Sequence, residues 1–285
     1  MLKKIIGFIK LEHMLFSLPM LLAGAALSRP WMGWGLIHWR SLVFIVLAGA
    51  GARTAALALN RLLDRAIDAR NPRTAGRELP SGKLSPAQGW GIAAGGTALY
   101  LVSVAALRTW LLWLAPIPLI IFVLYPLMKR FTWTCHFGVG LGLALAPLGG
   151  ALGYNPDLDI ATPVLWLALF TFFWVSGFDV LYATLDEEFD IAEGLFSVPA
   201  KMGPGMAQDL GMVLHGAALL CLGGLANDTL VPMAGPLAWA ALTPAAILLL
   251  LEQRFGYSLE PGSPFFTVNA WIGVAVAAAV LVCVR

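Results

Sequence analysis

Charge is what this sequence lacks most. Asp, Glu, Lys and Arg together make up 12% of its 285 residues, about half the roughly 25% of a soluble globular domain. That excludes an ordinary soluble enzyme, whose surface needs charge, and a disordered chain, which needs more of it still. A net charge of +2 is too small for the electrostatic footprint of nucleic-acid binding, so no nucleic-acid partner is expected. Cysteine is equally sparse. Cys135, Cys221 and Cys283 stand far apart with no Cys-x-x-Cys between them, which excludes a disulfide scaffold, a zinc knuckle and a redox motif. All three read as small apolar packing residues. Of the four histidines, His13 beside Glu12 reads as a capping or interfacial group. His38, His136 and His215 are isolated, without ligand spacing, and receive no function.

What the chain has instead is apolar length. Hydrophobic residues make up 59% of it, with a mean hydropathy of +0.81. Apolar runs fall near 11–28, 41–60, 88–107, 110–128, 133–152, 162–181, 206–225, 231–251 and 266–284, each close to the roughly 20 residues that cross a bilayer. The fold class predicted is an all-α polytopic membrane protein of about nine transmembrane helices around a central cavity. It forms one domain over 1–285, with a possible internal duplication of about 1–130 and 131–285. Lys3, Lys4 and Lys10 precede the run from Met14 to Leu27 much as in a secretory signal. Because spans continue along the chain, this reads as a retained first helix. Gly138, Gly140, Gly142 and the 149–150 pair read as close helix packing. Thirteen Lys and Arg fall on the side of the N-terminus and four on the other, with Arg53 inside a span. The positive-inside rule then places the N-terminus and the two long loops, about 61–87 and 182–205, in the cytoplasm, with the protein integral to the cell (inner) membrane.

Both long loops open on acidic ladders. Asn60, Asp64 and Asp68 recur every four residues, so on a helix they share one face over roughly 12 Å. Asp186 and Asp190 repeat the spacing. Like charges at i, i+4 are destabilising unless a cation lies between them, and oxygen-only donors select a hard ion, Mg²⁺ or Mn²⁺. Mg²⁺ fills its remaining positions with water and phosphate. Nearby Arg65, Arg70, Arg73, Arg77, Lys83, Lys129, Arg130 and Lys201 suit a phosphate partner, although the same cations also set topology.

These residues resemble a known family. Asn60-x3-Asp64-x3-Asp68, followed by Asn71-Pro72-Arg73-Thr74 and Arg77-x-Leu79-Pro80-Ser81-Gly82, looks like the first signature of the UbiA-type intramembrane aromatic prenyltransferases. Asp186-x3-Asp190 looks like the second, and Tyr125-Pro126-x2-Lys129-Arg130 is also similar. The likeness runs from Lys10-Leu11-Glu12-His13 to the last span. It implies that a polyprenyl diphosphate ionises and that its allylic carbon alkylates an aromatic ring. It also implies Mg²⁺ held by Asn60, Asp64, Asp68, Asp186 and Asp190, with Arg65, Lys129, Arg130 and Lys201 as diphosphate contacts. Gly177-Phe178-Asp179, Tyr182 and Ser197-Val198-Pro199-Ala200 resemble the 4-hydroxybenzoate polyprenyltransferase-like branch. A hydroxylated aromatic acid of ubiquinone or menaquinone synthesis, 4-hydroxybenzoate or a dihydroxynaphthoate, is the implied acceptor.

The chemistry suits those residues. A cation at the allylic carbon must be kept from water, and aromatic faces stabilise it; Tyr125 and Tyr182 are the candidates, with Phe178 and Trp174 nearby. Arg53 and Asp179 each precede a ladder by seven residues and so lie two turns deeper. One reading has Arg53 bind an acceptor carboxylate while Asp179 orients or deprotonates the acceptor hydroxyl. The other has the two pair with each other and lock two helices. A cation-coupled transporter is the alternative class, since intramembrane carboxylates and Pro/Gly-broken helices also mark transporters.

Overall fold

The computed structural model describes residues 7–8, 14–28, 39–155, 161–257, 259 and 264–284. Lys3, Lys4, Lys10, Glu12, His13, Arg29, His38 and Arg285 lie outside the described residues, as does the start of the first expected span. Within them the chain is all-α. Nine long helices run in order: α1 (Met14–Leu27), α2 (Trp39–Leu63), α3 (Pro86–Leu107), α4 (Pro116–Met128), α5 (Cys135–Tyr154), α6 (Thr162–Tyr182), α7 (Val198–Leu225), α8 (Leu237–Gly256) and α9 (Phe265–Cys283). Eight helical segments are long and apolar enough to cross a membrane, and α1 is a shorter apolar helix. Val43, Val102, Ile120, Leu124, Val213 and Leu220 are exposed around the bundle, as a lipid-facing surface requires. This is an integral, multi-pass membrane protein.

Proline and glycine decide where several helices start and stop. Pro86 follows Ser85, whose side chain closes a capping box with Gln88, so α3 begins cleanly. The expected span 110–128 is two pieces, a 3₁₀ segment Thr109–Trp113 and then α4, because Pro116 and Pro118 cannot continue the first turn's hydrogen bonding. The span expected at 231–251 begins six residues later. A π-helical turn Ala226–Leu230, a short helix Val231–Ala234 and Gly235 at φ 60° come first. Helix α7 reaches back to Val198 through a kink at Gly203, φ 83°.

Helix α1 packs on α5, and the two divide the apolar interior. One cluster joins α1 to α2, α3 and the 3₁₀ segment through Leu21, Ile45, Tyr100 and Leu111. The other joins α1 to α6, α7, α8 and α9 through Met20, Trp174, Leu222, Leu249 and Val276. The α1–α5 approach is backbone on backbone. A Cβ on Gly24 would stand 2.0 Å from the Pro147 carbonyl oxygen, and one on Gly150 would stand 1.9 Å from that of Leu21. Gly138 and Gly140 are likewise closed off, by Tyr125 and by Ser176. Gly142 and Gly149 correct the expected packing stripe, since a Cβ there finds only ordinary contacts and both residues line a cavity.

Gly150→Ala is therefore expected to destabilise the fold by about 1–3 kcal/mol, the usual cost of overpacking. Gly149→Ala should be neutral. Thermal unfolding of the two purified variants in detergent separates them.

Candidate active site

Both acidic ladders end at the same end of the bundle. Asn60 closes the last turns of α2, Asp64 sits at a turn, and Asp68 belongs to a short helix, Arg65–Arg70. The ladder survives the break because backbone bonds from Asp64 to Asn60 (2.9 Å) and from Asp68 to Asp64 (2.8 Å) keep the i→i−4 pattern. Asp186 ends a 3₁₀ turn after α6 and precedes the short helix Glu187–Ala192, which carries Asp190. A pocket of 220 Å³ lies between them, lined by Asn60, Asp64, Asp68, Asp186 and Asp190 and also by Tyr125, Lys129, Asp179 and Tyr182.

Every well-defined charge contact here joins two chain segments. Lys129 at the end of α4 donates to Asp64 Oδ2 at 2.7 Å, and Arg130 Nη2, bonded to the Leu63 carbonyl at 2.6 Å, stands 3.8 Å from Asp64 Oδ1. Arg77 grips both oxygens of Asp68 at 3.0 and 2.9 Å. Arg73 crosses to the second ladder. Its Nε donates to Asp186 Oδ1 at 2.8 Å, its Nη2 to Oδ2, and its Nη1 to the Tyr182 hydroxyl at 3.0 Å. Asn71 adds a bond to Asp186 at 2.8 Å. Farther out, Arg70 pairs with Glu193, and Arg61 with Glu78. The loop that presents these arginines is held by buried Leu79 and Leu84, packed with Phe8, Ala58 and Ala93. The Phe196 N–H, bonded to the Lys129 carbonyl at 2.7 Å, ties the second loop to the end of α4. Burial pushes the Asp64 carboxyl above the ordinary carboxylate range, and Lys129 beside it holds part of that rise back.

Beneath this pocket is a second, apolar one of 290 Å³. The same helices line both on successive turns: Ala56 then Asn60, Phe122 then Tyr125, Leu143 then Val139. Arg53 is the charged residue of the lower pocket, and its Nε is buried without a hydrogen-bond partner. Tyr125 reaches Asn60 at the junction and feels the charge of Arg53.

Three expected phosphate contacts are not brought to the pocket. Arg65 is exposed, because one residue past Asp64 it is turned about 100° from the ladder face. Lys201 is exposed in the first turn of α7. Arg130 holds the Leu63 carbonyl and stays outside the lining. Arg73, Arg77 and Asn71 take the inner places instead; all lie in the segment Asn71–Gly82 that resembles the family signature, but spacing alone does not say which carboxylate each would meet. The Arg53–Asp179 ion pair does not form among the described residues. Asp179 is bonded to His136 at 2.7 Å, a residue that sequence reasoning passed over because a lone histidine on an apolar helix carries no pattern.

The fit to a divalent cation rests on donor chemistry. Among the described residues no three His, Cys, Asp or Glu side chains gather closely enough to hold one metal ion, since the chain's own cations draw the ladder carboxylates apart. The donors facing the pocket are nevertheless oxygens of the kind Mg²⁺ prefers, and Asp64 Oδ1 is buried without a hydrogen-bond partner. The residues fit.

Residues 17–273 match the family model described as the UbiA prenyltransferase family. The chain belongs to this family. Its helical frame is shared with an apo UbiA homologue from Aeropyrum pernix, 31% identical, TM-score 0.83, over 95% of this chain and 98% of that one. A UbiA homologue from Archaeoglobus fulgidus bound to GPP and Mg²⁺ has the same fold, at 20% identity and TM-score 0.73, over 99% of each chain. The chain is also similar to a 4-hydroxybenzoate octaprenyltransferase of Aliivibrio fischeri, 27% identical over 255 residues and 87% of each chain. The family match supports an enzyme of prenyltransferase type over a cation-coupled transporter.

Replacing Asp64 by Asn removes a carboxylate whose burial disfavours its charge. In metal-free detergent solution at neutral pH, Asp64→Asn should unfold roughly 2–4 °C higher, the shift for about 1 kcal/mol in a large domain. The raised carboxyl is charged, at a cost, only above its shifted value. The gain should thus be full at neutral pH and fade as pH falls through that value towards the ordinary carboxylate range. Unfolding curves recorded across acidic pH check the sign.

Proposed function

We propose that the chain transfers a polyprenyl group from a polyprenyl diphosphate to a hydroxylated aromatic acid, 4-hydroxybenzoate or a dihydroxynaphthoate, in ubiquinone or menaquinone biosynthesis. The observation that carries this reading is the stacking of the pockets. A chamber of carboxylates and cations at the bundle end lies one helical turn from an apolar one whose charged member is Arg53, the two sharing α2, α4 and α5. The first suits a diphosphate, the second a prenyl chain and a ring bearing one carboxylate.

Asn60, Asp64, Asp68, Asp186 and Asp190 would hold Mg²⁺. When bound, the ion supplies positive charge against the leaving diphosphate. Lys129, Arg73 and Arg77 add fixed donors to phosphate oxygens as negative charge develops there, giving up carboxylates to do so. The allylic C–O bond breaks with its electron pair on the diphosphate. Tyr125 and Tyr182 flank the electron-poor carbon with π-faces and help exclude water, while the prenyl tail runs among helices towards lipid. Arg53 binds the acceptor carboxylate, and Asp179 accepts the hydroxyl proton. The ring carbon next to that oxygen bonds the allylic carbon. On return to aromaticity the ring hydrogen leaves as a proton and the oxygen is reprotonated, so each turnover releases diphosphate and one proton. We place this end of the bundle in the cytoplasm, on the charge asymmetry of the loops. We read the chain as a single domain with a possible internal duplication of about 1–130 and 131–285, a reading supported by the place of each acidic ladder after the second long helix of its half.

A membrane-fraction assay with Mg²⁺, labelled polyprenyl diphosphate and each acceptor in turn tests the reading. Lipid-soluble product is expected from one acceptor and is lost in Asp64→Ala. Arg53→Ala should raise the acceptor KM about 10- to 100-fold, the value of a charged hydrogen bond, with the KM of the prenyl donor unchanged. Folded wild-type protein that makes no product from either acid would refute the assignment of acceptor.

A further inference from the structure

His136 stands in the first turn of α5, 3% exposed. Its Nδ1 lies 2.7 Å from Asp179 Oδ2, and its Nε2 accepts the Val198 backbone N–H at 3.2 Å. A backbone N–H only donates, so Nε2 carries no proton. The hydrogen-bond network therefore assigns the ring proton to Nδ1, pointed at the carboxylate. The imidazole is held from both sides as a neutral donor. Asp179 keeps 28% of its side chain exposed and lines the polar pocket, so one oxygen is pinned while the carboxylate still faces the chamber.

From this geometry we infer that His136 is a positioning residue for the acceptor half of the reaction. It aims the Asp179 carboxylate at the acceptor hydroxyl and prevents Asp179 from pairing with Arg53, which leaves the guanidinium for the acceptor's carboxylate. Without that bond, the Asp179 carboxylate is free to turn away from the acceptor hydroxyl and towards the guanidinium of Arg53 in the adjoining pocket. The arrangement is the one by which a hydrogen-bonded neighbour fixes the orientation of an active-site group. The inference rests on the aromatic-acid reading above and names a residue that makes it work.

Three measurements on wild type, His136→Ala and His136→Asn test it. They are kcat and both KM values for prenylation, and Mg²⁺-dependent release of diphosphate from the prenyl donor without acceptor. Asn carries an N–H near the place of Nδ1–H but has no imidazole ring. Loss of positioning should cost His136→Ala about 100-fold in kcat, the penalty for a displaced catalytic group, and raise the acceptor KM. The prenyl-donor KM and the acceptor-free diphosphate release should stay at wild-type levels, and His136→Asn should restore most of the lost kcat. Prenylation by His136→Ala at the wild-type rate overturns the inference. So does loss of acceptor-free diphosphate release in both variants, which would make the histidine a prop for α7. Failure of wild type itself to prenylate either acid, with diphosphate release intact, refutes the acceptor reading and is distinguishable from both.

Discussion

Carboxylates gathered at the end of a membrane bundle need positive charge close by, and the architecture of this end follows from that need. Taking an ion out of water costs several kcal/mol unless a partner and further hydrogen bonds repay it. Asp64 and Asp68 are almost fully buried. Their partners, Lys129 and Arg77, come from a different helix end and from nine residues down the loop. Asp186 takes its partner, Arg73, from the loop of the other ladder. Each pair is thus a strap between segments, and together they turn two long loops into one ordered cap. Removal of the lysine or an arginine strands a buried carboxylate, which costs far more than the pair is worth, so the cap behaves as a unit.

The straps also prepare the site for an anion. Lysine and arginine in contact with carboxylates inside a concave pocket are already desolvated and already aimed. On the proposed reading, a diphosphate entering there would meet donors whose side-chain order is part of the resting fold. The carboxylates freed in exchange are the oxygens that a hard cation selects. Arg65 and Lys201 are as basic as Arg73, and all three are exposed, but only Arg73 lines the pocket and holds a ladder carboxylate.

Much of this was legible from local patterns. Apolar runs report the spans because a bilayer sets their length, and the four-residue spacing of Asn60, Asp64 and Asp68 reports a shared face because the helical repeat sets it. Arg53 was placed deep by the same arithmetic. What could not be read depends on contacts between distant segments. The 43-residue separation of His136 and Asp179 is invisible to any periodicity. So is the choice of Asp186 by Arg73 across 113 residues. Gly142 and Gly149 look like Gly140 and Gly150 in the sequence, yet they face a cavity where the others face backbone. The helix face that meets a neighbour is a tertiary fact. The delayed start of α8 had a local signal in Pro232, Gly235 and Pro236, which hydropathy alone overrode.

The deepest constraint concerns Arg53 and Asp179 together. A charge within a span costs on the order of 2.5–3.5 kcal/mol even by lenient insertion scales, and mutual pairing would be the simplest relief. The structure leaves that relief unused: Asp179 is held by neutral His136, and Arg53 keeps a buried, unpartnered Nε. The two charges are thus kept apart, Arg53 in the apolar pocket and Asp179 in the polar one. On the proposed reading, a molecule that carries a carboxylate and an acidic hydroxyl would partner both residues and relieve that cost.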